Sequence, residues 1–153
     1  DELGSEMWDG ANGADANWQT WASNEVASSD GAVQITYKGG GASNSTSGAY
    51  IYLRNTKDMN ADLVVGKTYK ITFNTKVNSS SVTWKINETD DPSYAMSSAV
   101  TSTDFVEQSM YFNASHATGH YLWPEQPSEI VDQKVWIKDI SIKLVNGNTG
   151  TLS

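Results

Sequence analysis

Leu63-Val64-Val65-Gly66-Lys67-Thr68-Tyr69-Lys70-Ile71-Thr72-Phe73-Asn74-Thr75-Lys76-Val77 is the stretch on which the reading of the fold turns. Tyr69, Ile71 and Phe73 alternate with polar residues. Successive side chains of a β-strand point to opposite sides, so this period of two marks a long strand with one buried face. Val65-Gly66-Lys67 reads as the turn that feeds it.

Working outward, the same short period-two segments recur, bounded by Gly, Asn, Asp and Ser, and sustained helical periodicity is absent. Strands are predicted over 32–37, 49–54, 68–77, 81–87, 106–113, 119–123 and 134–145. Seven strands in a chain of 153 residues predict an all-β domain, a jelly-roll β-sandwich of two antiparallel sheets. Trp84 alternates with Ser81, Thr83 and Lys85 on the same side as Val82 and Ile86, which makes it core, as are Met110 and Phe112. Trp18 and Trp21 are read as one buried and one exposed, in an order that spacing does not fix. The segments 38–47 and 55–62 are polar loops. Residues 1–145 are read as one domain and 146–153 as a flexible tail or linker to a neighbouring domain. No internal repeat is visible.

Composition narrows the partners. The net charge of -8 and pI near 4.5, with ten Lys and Arg dispersed along the chain, argue against nucleic acid. No apolar run is long enough to span a bilayer, so no membrane partner is expected. Zero Cys excludes disulfides and thiolate metal sites, and a domain of this size needs no staples. Richness in Ser, Thr, Asn and Gly with little Lys suggests an extracellular or surface-exposed protein. Six Trp and seven Tyr against three Phe favour rings with a polar edge, some of them at work on the surface.

Alternation places those rings. Burying Ala49, Ile51 and Leu53 turns Tyr50, Tyr52 and Arg54 outward. Burying Leu122 puts Tyr121 and Trp123 on an outer face as well. Sugars stack their C–H faces on Tyr and Trp, and Arg orients their hydroxyls. Tyr50, Tyr52, Arg54, Tyr121 and Trp123 are therefore the candidate carbohydrate-binding residues, although each tyrosine alone could equally pack beneath a loop or against another subunit.

Other chemistry finds less support. Glu88, Asp90 and Asp91 form an acidic loop and Glu125 and Glu129 follow Trp123, but nothing sets two carboxylates at a working separation, so no hydrolase is expected. His116 and His120 share no helical face and lack a third metal ligand. The Gly-x-Ser-x-Gly elbow is absent. Asn-x-Ser/Thr sites at Asn44, Asn78, Asn87 and Asn113 matter only in a eukaryotic secretory route.

The order of segments resembles carbohydrate-binding modules of families four, nine and twenty-two, which are galactose-binding-like jelly rolls often attached to glycan-degrading enzymes. The resemblance runs from about Glu2 to Val145. It rests on Glu2-Leu3-Gly4-Ser5-Glu6-Met7-Trp8-Asp9-Gly10, then Trp18 and Trp21, Asp30-Gly31-Ala32-Val33, the Gly66-Lys67-Thr68-Tyr69 entry into the long strand, and Val135-Trp136-Ile137-Lys138-Asp139-Ile140-Ser141-Ile142. It implies a non-catalytic module that binds a polysaccharide or oligosaccharide in a concave, aromatic-lined cleft, excised in this reading from a glycan-active enzyme. It also implies a structural calcium held by Asp9 and Asp30. The closing strand departs from that pattern, with Lys138 where an acid is expected and Asp139 one step later, so an ammonium paired with Asp9 or Asp30 is the alternative to calcium. The competing reading is a structural surface, filament or virion protein that self-associates, supported by a closing strand that reads as apolar on both faces around Val135, Trp136 and Ile137.

Overall fold

The computed structural model describes residues 2–9, 17–20, 24–29, 31–38, 49–88, 91–125 and 130–146, with side chains 91–93 excepted. The elements are β1 (Gln19–Thr20), β2 (Glu25–Ser29), β3 (Ala32–Thr36), β4 (Ala49–Tyr52), β5 (Thr68–Val77), β6 (Thr83–Glu88), β7 (Asp91–Met96), β8 (Val106–Asn113), β9 (Tyr121–Glu125) and β10 (Lys134–Leu144). They form two five-stranded antiparallel sheets, in the orders β1-β4-β9-β6-β7 and β2-β3-β10-β5-β8. The expected β-sandwich is the fold.

The strand that anchored the reading alternates as required. Tyr69, Ile71, Phe73, Thr75 and Val77 are buried and the residues between them are half-exposed. Its turn closes with the Lys67 N–H donating to the Val64 carbonyl at 3.0 Å, and Gly66 at φ 92° takes a conformation that a side chain would strain. The strand is central in its sheet, between β10 and β8.

The core lies between the sheets. Ile51, Ile71, Phe73, Trp84, Ile86, Leu122, Ile137 and Ile142 are all sealed from solvent. Trp84 meets Trp18 edge-on at 6.3 Å and Phe73 at 5.6 Å, so it joins the two sheets through its rings. Its indole N–H donates to Thr75 Oγ1 at 2.8 Å, and that hydroxyl donates to the Trp136 carbonyl at 2.7 Å. Every polar atom in this buried relay has a partner, which is the condition for holding it in a core. Trp18 is buried; Trp21 lies outside the described residues.

Two expectations need correction. Asp91 opens β7 and is no loop residue; β7 is an edge strand, the place in a sheet where a proline such as Pro92 is tolerated. The closing strand is not apolar on both faces, because Val135 and Ile137 point inward while half-exposed Trp136 points out beside Lys134 and Lys138. β10 is an inner strand, flanked by β3 and β5. A register shift between Lys138 and Ser141, with Asp139 at φ 55°, makes the bulge that keeps both halves of β10 in phase with the core.

Candidate functional site

The outer face of the first sheet collects the sequence-predicted residues. On β4, Ala49 and Ile51 are buried, so Tyr50 and Tyr52 face out, half-exposed. On β9, Leu122 is buried and Tyr121 faces out. Antiparallel pairing sets Tyr52 opposite Tyr121 and Gln19 opposite Tyr50. The three tyrosines close into one cluster, with centroids 5.8 Å apart for Tyr50 and Tyr52, 5.1 Å for Tyr50 and Tyr121, and 5.5 Å for Tyr52 and Tyr121. Such edge-on and tilted contacts fix each ring against its neighbours.

Arg54 belongs to the same cluster. Its guanidinium carbon stands 4.1 Å over the Tyr52 ring and Nη1 donates to the Thr118 carbonyl at 3.3 Å. Stacking and a single backbone bond leave its other terminal N–H donors for a ligand, whereas Nε is buried without a partner among the described residues. Burial raises the Tyr50 hydroxyl above its ordinary range, with Tyr52 adding to it. Burial does the same for Tyr121, reinforced by Tyr52 and Tyr50 and opposed by a hydrogen bond with Asn87. Both phenols therefore stay protonated and able to donate at neutral pH.

Trp123 takes the expected face but differs in character. It is only 8% exposed, and the Lys85 ammonium lies 5.5 Å from its ring centroid. Lys85, opposite Trp123 in the register, is bonded to Glu125 at 2.5 Å. Trp123 is thus a floor beneath an ion pair, where the sequence suggested an open stacking ring. Continuing the β4–β9 register by one residue sets Tyr50 opposite Trp123. A row of Gln19, Tyr50, Trp123, Lys85 and Met96 then crosses the sheet, with Met96 52% exposed at its far end. Gln19, Lys85 and Met96 were not among the sequence candidates. The alternation of β6 does turn Lys85 away from Trp84, but only pairing shows that it lands beside Trp123.

Among the described carboxylates, Glu88 and Glu125 do not form a hydrolytic pair. Glu125 lies opposite Thr83 and Glu88 is five residues further along β6, about 17 Å away at the rise of a strand. Glycosidase pairs stand about 5 to 9.5 Å apart. Glu88 instead accepts from the Ser115 hydroxyl at 3.4 Å. Asp90 and Glu129 lie outside the described residues.

His120 is a core residue. Its Nδ1–H donates to the Asn87 carbonyl at 2.7 Å, and Nε2 accepts from the Ser115 N–H at 3.0 Å and the His116 N–H at 3.3 Å. Tyr94 stacks on it at 5.7 Å. Burial lowers its pKa, the nearby His116 adds to this, and the Asn87 carbonyl and Glu88 oppose it.

At the expected calcium position Asp9 is exposed, and its N–H donates to the Asp58 carbonyl at 2.7 Å. Asp30 lies outside the described residues. The Lys138 ammonium stands 4.2 Å from the Phe105 ring centroid rather than beside Asp9, and Asp139 accepts from Asn74 Nδ2 at 2.9 Å. Among the described residues no three His, Asp or Glu side chains converge. Calcium takes six to eight oxygens, and of the two carboxylates expected to hold it only Asp9 is among the described residues.

No family model and no curated protein matches the sequence. Solved structures do match the fold. A family 4 carbohydrate-binding module is 18% identical with a TM-score of 0.58, the match covering 92% of this chain and 95% of that one. The family 22 xylan-binding domain from Paenibacillus barcinonensis Xyn10C is 14% identical at a TM-score of 0.61, covering 95% and 96%. A family 29 module in complex with mannohexaose is 11% identical at 0.57, covering 94% and 93%. At these identities the likeness is one of fold, and it spans nearly the whole of each chain. Families four and twenty-two are among those the sequence resembles; family twenty-nine joins them.

Proposed function

We propose that this chain is a non-catalytic carbohydrate-binding module whose ligand lies across the outer face of the first sheet, in a cleft floored by Tyr50, Tyr52 and Tyr121. The observation that carries the reading is the tyrosine cluster. Three half-exposed rings from two adjacent strands are locked by two edge-on contacts and one tilted contact, with Arg54 stacked at one side and Gln19 at the other. Neighbouring hydroxyls that keep their protons, one guanidinium and apolar ring surface together suit a chain of neutral sugars. The shared fold with modules solved as xylan-binding or mannohexaose-bound supports the same class of ligand. Its setting, in this reading, is extracellular or surface-exposed, beside the catalytic domain of a glycan-active enzyme.

The experiment is calorimetric titration with soluble xylan, β-glucan and mannan, repeated with Tyr52→Ala and Tyr121→Ala. One polymer is expected to bind saturably. Each truncation should weaken it by roughly ten- to a hundredfold, the loss of one stacking contact of about 1–3 kcal/mol, while thermal unfolding moves little. Binding that survives both truncations moves the ligand off this face, and no heat with any of the three polymers overturns the reading.

A further inference from the structure

The pairing of β5 with β10 gathers cations that the sequence disperses. Lys70 and Lys76 occupy the solvent side of β5, and Lys134, Lys138 and Lys143 that of β10. Five of the chain's ten Lys and Arg therefore share the outer face of the second sheet, opposite the tyrosine cluster. Trp136 lies at the centre, opposite Lys76 on one side and Gln34 on the other. Gln34 Oε1 accepts its indole N–H at 3.1 Å. The Lys76 ammonium sits 4.8 Å from the centroids of both Trp136 and Phe105, and the Lys138 ammonium 4.2 Å from Phe105.

Lys143 and Lys134 lie near enough to Glu6 and Asp132 to help lower those carboxyls' pKa values. Among the described residues Lys38 and Lys85 form ion pairs, and none of the five does. Lys134 donates to the neutral Thr36 hydroxyl at 3.0 Å. Three acids of the face lie at its rim: Glu25 on β2, Glu107 on β8, and Glu6 against Ser141. Asp139 is engaged by Asn74. The centre, around Trp136 and Phe105, is cationic on a chain of net charge -8.

The geometry points to a second ligand surface here, for a polysaccharide that carries carboxylates. Trp136 offers its half-exposed ring to the C–H face of a sugar, and Lys76 and Lys138 take the carboxylates. Each ammonium is already placed by a ring, so little side-chain entropy is lost when an anion arrives, and the new hydrogen bond is charge-assisted. A neutral sugar leaves those charges uncompensated. A polyphosphate chain fits less well, because its charge density opposes the net charge of the domain and this face has no Arg to grip phosphate bidentately.

The test is titration of the whole chain with polygalacturonate at low and at 0.5 M NaCl, a range that separates screened from unscreened contacts on a scale of roughly 4–10 Å, with the variants Lys76→Gln/Lys138→Gln and Tyr52→Ala. Polygalacturonate is expected to bind, to weaken with salt, to lose roughly tenfold in the double lysine variant, and to be indifferent to Tyr52→Ala. The neutral polymer of the first face should show the reverse pattern, which keeps failure of either surface distinguishable from failure of the other. Matched thermal unfolding of the lysine variant excludes a folding defect, and Lys76→Arg/Lys138→Arg should retain binding. The inference is overturned if polygalacturonate does not bind, if the lysine variant binds it unchanged, or if duplex DNA binds this face equally well.

Discussion

Thr75 shows how much a single hydroxyl can hold. It takes the Trp84 indole proton at 2.8 Å and gives its own to the Trp136 carbonyl at 2.7 Å, and it is fully buried. Thr75→Val keeps the shape but strands a buried N–H, and an unsatisfied buried donor costs about 1–3 kcal/mol. A urea titration of the variant should show that loss as a lower midpoint with an unchanged slope. An unaltered midpoint would mean that the relay contributes nothing net. At this scale the sequence was legible wherever one strand's own alternation decides the outcome, as for Trp84, Tyr50 and Tyr52. It was misleading for Trp123, whose outward face is right but whose cover, the Lys85 ammonium paired with Glu125 of the same strand, comes from β6 thirty-eight residues away.

Among the elements, β5 and β8 run between the residues expected from the pattern, Thr68 to Val77 and Val106 to Asn113. β1, β2 and β7 escaped notice, and all three are sheet edges. A half-paired edge keeps its pattern only where it still buries side chains, as the edge strand β8 does with Met110 and Phe112; β1 has two residues, both exposed, and β2 carries no buried residue at all. Asp30-Gly31 held the missing signal for β2, because that dipeptide favours a two-residue hairpin, and Ser29 does pair with Ala32 on either side of it. Between β8 and β9, His120 pins the connecting segment to β6 through Asn87, and this gives the fold a pH dependence. Burial lowers its folded pKa, so the unfolded chain takes up the proton first. Stability should be flat above the ordinary imidazole value of about 6.5 and fall as pH drops through it toward the folded value. Urea unfolding at pH 8, 6.5 and 5 should show that decline, and His120→Asn should flatten it. An equal decline in the variant would assign the slope to other groups.

Over the whole molecule, the two outer faces differ in charge and the two inner faces share one core. The first sheet presents tyrosine rings with one guanidinium and a self-neutralised ion pair, the second presents lysines around Trp136, and neither contrast is visible until pairing brings distant segments together. Between them Trp84 of the first sheet packs on Phe73 of the second and is hydrogen-bonded through Thr75 to β10. Either sheet alone would expose its apolar side, so neither can persist when the other opens. The described chain should therefore unfold in one step, with calorimetric and van't Hoff enthalpies equal and with tryptophan fluorescence and far-ultraviolet dichroism tracing one curve against urea. The pairing that joins β3 to β10 and β10 to β5 is non-local, so refolding belongs in the millisecond-to-second range of β-sandwiches rather than the microseconds of helical bundles. Two separated transitions would show that the sheets are stable apart, and the Trp84 bridge would then be a contact between units rather than the centre of one.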